Sequence, residues 1–234
     1  MFAKILGSLL VTLLPFLPHS DKPIFELAIR PLAWSSLSLY DVMQGIEAPF
    51  VKNHCTTWAY QKPHEHQTHW ITAAHCVLDD ETGELADNDY QVDGHYLYVE
   101  DWDQTNDVAS MATYDDVYAK GLRLADHEPT IYRPGHLQDS LTIVRGYPYG
   151  FDQMFTSIGW LVRAHFHDKR DADGVFYEVY TAPIASGNSG SPVFDRNDKV
   201  YGVLQVGWGE DGFSAASGGL DLKDLKTFLD QLPN

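Results

Sequence analysis

The stretch WITAAHCV, residues 70–77, places a histidine and a cysteine side by side directly after a short apolar run. His75 and Cys76 are either two ordinary core residues or a general base held in place by a disulfide bond. A second stretch, SGNSGSPVF at residues 186–194, bears on that choice. Ser189 stands there among small residues, which let a substrate carbonyl come close to a serine hydroxyl and to the backbone N–H groups around it.

The two stretches together predict a nucleophile and its base. His75 would take the proton from Ser189, and a carboxylate would orient the imidazole ring. Asp107 in TNDVASM, residues 105–111, is the first candidate because it opens an apolar stretch in which it would be buried against the ring. Three other aspartates are alternatives in less apolar surroundings: Asp101, Asp103 and Asp115.

The order of these three residues along the chain discriminates between the folds that use such a triad. In α/β-hydrolases the histidine follows the serine, but no histidine follows Ser189 here. Ser191 stands where the Gly-x-Ser-x-Gly elbow needs its second glycine. The subtilisin order needs an aspartate before the histidine in an alternating α/β chain, and this chain has a β pattern. Only the order of the chymotrypsin triad fits.

Short stretches rich in β-branched and aromatic residues dominate the chain, and Gly, Asn, Asp and Pro separate them. This pattern is typical of an all-β sandwich or barrel. The turn DRNDK at 195–199 predicts a hairpin. One helical stripe is present at 221–232, with Asp221 as its N-cap. The predicted strand stretches are SSLSLYDV, HCTTWAY, THWITAA, HYLYVE, SLTIVRGY, TSIGWLVRAHF, VFYEVYTA, SPVF and VYGVLQVGW.

The 234 residues fit one large domain or two small ones, with a formal net charge of −17 that disfavours nucleic-acid binding. Residues 1–20 carry a short positive start and an apolar run of signal-peptide length. They predict a secretory signal, with an uncleaved anchor as the alternative. Residues 21–44 are a lead-in that is either a propeptide or the first strand. No later segment is apolar enough to span a bilayer, so we expect a secreted or periplasmic protein.

The chain has two cysteines, Cys55 and Cys76. In a protein with an export signal, an even number of cysteines suggests a disulfide. Two free buried thiols are the alternative.

The motifs resemble those of the trypsin/chymotrypsin-like serine proteases. TAAHC at 72–76 matches the histidine motif of that family, NDVA at 106–109 resembles its aspartate motif, and GNSGSP at 187–192 resembles its serine motif in the bacterial form. Within the family, IEAP at 46–49 and GYP at 146–148 are most similar to bacterial glutamyl-endopeptidase-like members. The resemblance covers about residues 45–234.

The resemblance implies an all-β chymotrypsin-like fold, with two six-stranded antiparallel β-barrels at about 45–125 and 136–220 and a C-terminal helix. Residues 123–135 would connect the halves. The first barrel would supply His75 and Asp107 and the second would supply Ser189. The bond between Cys55 and Cys76 would be the family's disulfide beside the histidine. The backbone N–H groups of Gly187 and Ser189 would form the oxyanion hole.

The implied activity is that of a secreted serine endopeptidase acting on protein or peptide substrates, as a monomer and without a cofactor or metal. A substrate strand would pair with the edge formed by Val206, Gly207, Trp208 and Gly209; an ordinary strand end with a packed Trp208 is the alternative. Pro183 stands where trypsin-like enzymes carry the pocket aspartate, and Ile184 where glutamyl endopeptidases carry a threonine. These two residues favour an apolar or small residue in the pocket.

Two other functions remain as alternatives: a protease-fold protein that binds partners without cleaving them, and a serine esterase on an unrelated fold. The intact set of three motif residues argues against the first, and the missing histidine after Ser189 argues against the second. His64, His66 and His69 lie close together in HEHQTH, residues 64–69. Because they fall between two predicted strands, we expect a solvated loop there rather than a zinc site.

Overall fold

The computed structural model describes residues 28–35, 53–65, 67–79, 81–114, 119–151, 153–167, 176–210 and 213–233. The predicted signal segment, the motif IEAP, and all but one residue of the predicted strand SSLSLYDV lie outside the described residues. Within the described part of the chain, no helix has the length and apolar character that a membrane span requires.

Six antiparallel strands close the first barrel in the order β1-β2-β3-β6-β5-β4. Its core holds fully buried large side chains, among them those of Trp58, Ile71 and Met111. The β-branched and aromatic residues of HCTTWAY and THWITAA fit these strands because such side chains pack well on a pleated, buried surface. The strand bounds are β1 Ile29–Ser35, β2 Asn53–Tyr60, β3 His69–Thr72, β4 Asp89–Val92, β5 His95–Asp103 and β6 Val108–Thr113.

The second barrel is a seven-stranded sheet in the order β10-β13-β12-β11-β7-β8-β9. A further pairing between β13 and β9 closes six of these strands, and β10 pairs on the outside with β13. The predicted hairpin through DRNDK joins β11 and β12. The strand bounds are β7 Leu141–Gly146, β8 Phe155–His167, β9 Phe176–Tyr180, β10 Ile184–Ala185, β11 Pro192–Phe194, β12 Val200–Glu210 and β13 Phe213–Leu220.

The chain ends in helix α1, Leu222–Gln231. Asp221 caps it, because its Oδ1 accepts a hydrogen bond of 2.8 Å from the Asp224 N–H. The apolar stripe of α1 is buried against the barrels. The predicted chymotrypsin-like fold, with two six-stranded antiparallel barrels and a C-terminal helix, is confirmed.

Strand β1 comes from the segment 21–44. It pairs with β2 on one side and with β4 on the other, and Ile29 and Leu32 are fully buried. The first barrel therefore contains a strand that precedes residue 45. The exact limits of the signal, lead-in and protease regions stay a prediction.

The expectation of a solvated loop is wrong for His69. His69 is the first residue of β3 and is fully buried, as are the other three residues of this strand. Its Nδ1 lies 2.8 Å from Oε2 of Glu100, a carboxylate that also accepts a 2.9 Å hydrogen bond from the Ser110 hydroxyl. His64 is exposed on the preceding turn, and His66 lies outside the described residues.

Candidate active site

His75 and Asp107 lie at the same end of two neighbouring strands. His75 sits in a single 3₁₀ turn, Ala74–Cys76, directly after β3, and Asp107 directly precedes β6. Strands β3 and β6 are antiparallel, with Thr72 opposite Ala109. The end of one strand therefore meets the beginning of the other, which is why a spacing of 32 residues brings the two side chains together.

The Asp107 carboxylate holds His75 at two points. Its Oδ2 lies 2.8 Å from Nδ1 of the ring, and its Oδ1 accepts a 2.8 Å hydrogen bond from the His75 backbone N–H. Asp107 takes a left-handed backbone conformation with φ of 44°, which aspartate tolerates better than most residues. Since the carboxylate binds Nδ1, Nε2 is the ring nitrogen that faces away from Asp107, and the His75 side chain is 42% exposed.

A residue of the second barrel holds the Asp107 backbone. The Gln205 amide on β12 donates hydrogen bonds of 3.0 Å to the carbonyl oxygen of Asp107 and 2.5 Å to that of Asn106. Gln205 is 4% exposed, so this bridge between the barrels is shielded from water. The sequence analysis missed Gln205, because nothing in VYGVLQVGW marks a contact with a residue 98 positions away.

The turn that carries Ser189 lies against the strand that leads to His75. Gly190 has φ of 82°, and a Cβ there would come within 2.3 Å of the Thr72 hydroxyl and 3.0 Å of the Ala73 nitrogen. The Gly190 N–H donates to Leu204 (2.7 Å), and the Ser189 carbonyl accepts from Thr56 (2.8 Å). Only a glycine allows the turn to pack this closely against the residues that lead to His75.

Gly187 shapes the other half of the same turn. Its φ is 94°, and a Cβ there would come within 2.6 Å of the Tyr147 carbonyl oxygen. The Thr56 hydroxyl donates to the Gly187 carbonyl at 2.9 Å and accepts from the Tyr147 N–H at 2.9 Å. Among the described residues, the N–H groups of Gly187 and Ser189 donate to no backbone carbonyl. Thr56 is a second residue that the sequence analysis missed.

Cys55 and Cys76 form a disulfide that ties β2 to the turn of His75. Both cysteines are buried. Across the described residues, the one group of three possible metal ligands is Cys55, His75 and Cys76. Because the two sulfurs are bonded to each other, this group offers a single histidine nitrogen and makes a poor metal site.

The residues predicted to bind substrate lie on β10 and β12. Ile184 is 8% exposed, and its Cδ1 lies 2.9 Å from the position of a Cβ on Gly207. Strand β11 pairs with β12 only as far as Val203, so beyond it the same edge of β12 has no strand partner among the described strands. That unpaired part includes Val206 and Gly209. The Trp208 ring packs edge-on against two other aromatic rings, those of Phe166 and Tyr177.

Comparison with known proteins agrees with this fold. The family model described as a trypsin-like peptidase domain matches residues 60–203. The chain therefore belongs to the trypsin-like peptidase family, and its fold and family support a serine protease hydrolase. Comparison with curated proteins gives no match.

Among solved structures, the chain is similar to the Rv3671c protease of M. tuberculosis in its active form, with a TM-score of 0.63 and 19% identity over 88% of this chain and 81% of that chain. It is also similar to the HtrA-type protease AlgW with a tripeptide, with a TM-score of 0.62 and 14% identity over 87% of this chain. A variant of AlgW gives a TM-score of 0.63 and 13% identity, again over 87% of this chain. This chain spans 59% of the length of AlgW.

Proposed function

We propose that this protein is a secreted or periplasmic serine endopeptidase that cleaves peptide bonds through His75, Asp107 and Ser189. One observation carries the proposal: a carboxylate binds both the ring Nδ1 and the backbone N–H of His75, directly beside the turn of Ser189. This arrangement fixes the ring tautomer and aims its second nitrogen away from the aspartate, as general-base catalysis by histidine requires.

In the acylation step His75 carries the proton of the Ser189 hydroxyl to the leaving nitrogen, and an ester bond to Ser189 replaces the peptide C–N bond. Nε2 of His75 takes the hydroxyl proton as Ser189 Oγ bonds to the substrate carbonyl carbon. The N–H groups of Gly187 and Ser189 stabilise the oxyanion of the tetrahedral intermediate. His75 then gives the proton to the leaving nitrogen, the C–N bond breaks, and an acyl ester on Ser189 remains. In other enzymes, loss of one oxyanion donor lowers the rate about 10²–10³-fold.

Deacylation repeats the same proton movement with water. His75 takes a proton from water as the water oxygen bonds to the ester carbon. It then returns the proton to Ser189 Oγ, and the acid product leaves. Asp107 stays ionised through both steps and stabilises the imidazolium that forms in each.

The acyl side of the substrate would lie along β12. The edge of β12 opposite β13 continues past the end of β11 at Val206 and Gly209, and would offer backbone hydrogen bonds to an extended peptide, which is a common mode of peptide recognition. The side chains of Ile184 and Ser214 lie against Gly207 beside this edge, and none of these three residues is charged. We therefore propose a small or apolar residue at the cleaved bond. The similarity to glutamyl-endopeptidase-like enzymes stays a prediction.

Intact mass after treatment with a fluorophosphonate probe tests the proposal. We expect one adduct on the wild type, mapped to Ser189, and none on Ser189→Ala or His75→Ala. Ser186→Ala, in the same turn, is the matched control and should still be labelled. If the folded, disulfide-bonded wild type stays unlabelled, the catalytic proposal is wrong and a non-catalytic protease-fold binding protein takes its place.

A further inference from the structure

The negative charge of this protein is concentrated in one segment of the chain. Residues 63–119 contain 14 of the 33 Asp and Glu residues and none of the 16 Lys and Arg residues. This segment therefore carries a formal charge of −14 out of the total of −17. It supplies β3 to β6, which are four of the six strands of the first barrel. The first barrel is thus strongly negative, and the rest of the chain is close to neutral.

Three exposed tyrosines lie together on the outside of this barrel. Tyr96 and Tyr98 alternate along β5 with the buried Leu97, so both point outward. The Tyr114 N–H donates a 3.3 Å hydrogen bond to the Tyr96 carbonyl oxygen, and the rings of Tyr98 and Tyr114 lie 5.0 Å apart. Tyr96, Tyr98 and Tyr114 are 51%, 39% and 72% exposed. We call these three residues the tyrosine face, because clustered exposed aromatic rings are typical of binding surfaces.

A carboxylate borders the tyrosine face. In the register of β4 and β5, Gln91 lies opposite Tyr96. Asp89, two residues earlier on the antiparallel β4, therefore lies opposite Tyr98. Asp89 is exposed, and no salt bridge joins it to another residue that the structure describes. Tyrosine rings attract cations through their π faces and the carboxylate does so through its charge, so this surface favours a positively charged ligand.

The sign of the charge selects the kind of partner. The carboxylates of residues 63–119 would repel a nucleic acid or an anionic membrane surface. A second copy of this chain would bring two negative barrels together. A basic polypeptide segment gains twice, because the field attracts Lys and Arg side chains and guanidinium groups stack on tyrosine rings. An Arg-rich or Lys-rich segment of polypeptide therefore fits the tyrosine face best.

Strand β5 connects the tyrosine face to the candidate active site. Five residues along this strand separate Tyr98 from Asp103, which corresponds to about 17 Å. Asp103 lies opposite Val108, the residue that follows Asp107. The face is therefore close enough for one polypeptide to reach both places, since about six extended residues span this distance.

We propose that the tyrosine face is an exosite, which binds an Arg-rich or Lys-rich segment of the substrate outside the residues around the scissile bond. The inference rests on the proposed function, because it identifies the bound segment as part of a substrate. It predicts a preference for proteins with a basic segment about six or more residues from the cleaved bond. Because the face is remote from the reacting atoms, it binds substrate and transition state equally well, which lowers KM and leaves kcat unchanged.

Fluorescence anisotropy tests the face without catalysis. The probes are a fluorescein-labelled peptide of four Arg-Gly-Gly repeats and the same peptide with citrulline, a neutral analogue of arginine. The Ser189→Ala protein at low salt should bind the arginine peptide at least tenfold more tightly than the citrulline peptide. The triple variant Tyr96→Ala/Tyr98→Ala/Tyr114→Ala should weaken this binding about tenfold, the size of a few exposed cation–π contacts. Phenylalanine at the same three positions should retain most of it. Asp89→Asn should weaken binding about threefold, as expected for one exposed ion pair.

Two variants are matched controls for charge and for aromatic surface. Glu84→Gln removes one exposed carboxylate of the same segment from a turn that lies outside β4 to β6. Tyr132→Ala/Trp160→Ala removes a pair of exposed aromatic rings, 6.3 Å apart, beside the second barrel. Both variants should bind the arginine peptide as the unsubstituted Ser189→Ala protein does.

Extended quenched-fluorescence substrates test whether the bound segment belongs to a substrate. A sequence that the wild type cleaves is extended by the arginine or the citrulline repeats, beginning six residues from the scissile bond. One pair of substrates carries the extension on the acyl side and a second pair carries it on the leaving side. In one of the two pairs, the arginine substrate should have a KM about tenfold lower at unchanged kcat. The triple tyrosine-to-alanine variant should remove this difference.

Four results would overturn the exosite. The first is equal binding of the arginine and citrulline peptides, and the second is an equal loss in Glu84→Gln and Asp89→Asn with none in the triple alanine variant. The third is an unchanged KM in both substrate pairs. The fourth is a Ser189→Ala dimer that the triple substitution converts to a monomer, which would assign the face to a second copy of the chain.

Failure of the exosite and failure of the proposed function are distinguishable. A wild type that neither takes the fluorophosphonate label nor cleaves any peptide would refute the proposed function, and the exosite with it. A wild type that labels and cleaves, but gives one of the four results above, would refute the exosite alone.

Discussion

The buried carboxyl group of Glu178 should contribute more stability to the folded protein in acid than at neutral pH. Its carboxyl group lies inside the second barrel and is 2% exposed. Burial, together with the nearby charges of Glu128 and Asp221, raises the pKa of Glu178 from 4.5 to about 8. One hydrogen bond opposes this, from the Tyr180 hydroxyl at 3.2 Å, and the Oε1 atom has no hydrogen-bond partner among the residues that the structure describes. The folded protein thus holds a proton that the unfolded chain releases.

The sign and size of the effect follow from proton linkage. Where the folded state binds more protons than the unfolded state, the free energy of unfolding falls as pH rises. The pKa difference of Glu178, from 4.5 to about 8, corresponds to a total loss of about 5 kcal/mol at about 1.4 kcal/mol per pKa unit. The stability is fully present below pH 4.5 and is lost by the time pH passes about 8. Between pH 5 and 7.5 the loss should be about 3 kcal/mol.

The variant Glu178→Gln removes this titration and keeps the size of the side chain. Urea unfolding of wild type and variant, followed by tryptophan fluorescence at several pH values, gives the difference in unfolding free energy, in which the titrations of other groups cancel. A Ser189→Ala background in both proteins prevents self-digestion. The variant should gain about 3 kcal/mol on the wild type from pH 5 to 7.5. Glu84→Gln, on an exposed turn, is the control and should show no such trend. A constant difference between Glu178→Gln and wild type over this range would refute the reasoning.

Three further changes test the candidate site. Gln205→Ala should lower kcat about tenfold or more with little change in KM, because a small misplacement of Asp107 is costly; an unchanged kcat on a peptide substrate would contradict the role of that bridge. Gly190→Ala should abolish probe labelling, because the new Cβ would lie 2.2 Å from the Thr56 carbonyl oxygen, and a fully labelled variant would show that the turn is more tolerant than its contacts indicate. Replacing both Cys55 and Cys76 by serine should cost about 3 kcal/mol of stability in urea, from the entropy of a loop this size, and a loss below 1 kcal/mol would argue against the loop-entropy reasoning.

Most of the strands could be predicted from the sequence, but β1, β4, β6, β10 and β13 are not predicted, and three of these show why. Strand β13 reads FSAASGGL, a composition typical of a turn, yet the barrel needs its glycines: a Cβ on Gly218 would overlap the Trp208 ring, and one on Gly219 would lie 2.2 Å from the Val203 carbonyl oxygen. Acidic residues next to β4 obscure its strand pattern. Strand β1 follows the predicted signal peptide, in a segment whose structure the sequence alone leaves open. In each case tertiary contacts outweigh local propensity.

The residues of the candidate site also fall into two groups, those that the sequence reveals and those that it does not. His75, Asp107 and Ser189 could be named because each stands in a local motif. Gln205 and Thr56 could not, because they act across the two barrels on backbone atoms 98 and 131 positions away. Every residue has a backbone carbonyl that can accept a hydrogen bond. The sequence around the acceptor therefore shows no pattern that would reveal the contact.

These cross-barrel contacts explain why the site needs both halves of the chain. Thr56 binds the backbone of Gly187 and Ser189 on one side and the loop of Tyr147 on the other. One threonine beside the disulfide therefore fixes the oxyanion turn relative to the loop that follows β7. Gln205 makes the reciprocal contact. This residue of the second barrel donates a hydrogen bond to the backbone carbonyl of Asp107 in the first barrel. Because each barrel positions a residue that the other supplies, a shift of one barrel against the other would misalign the base, the nucleophile and the oxyanion donors together.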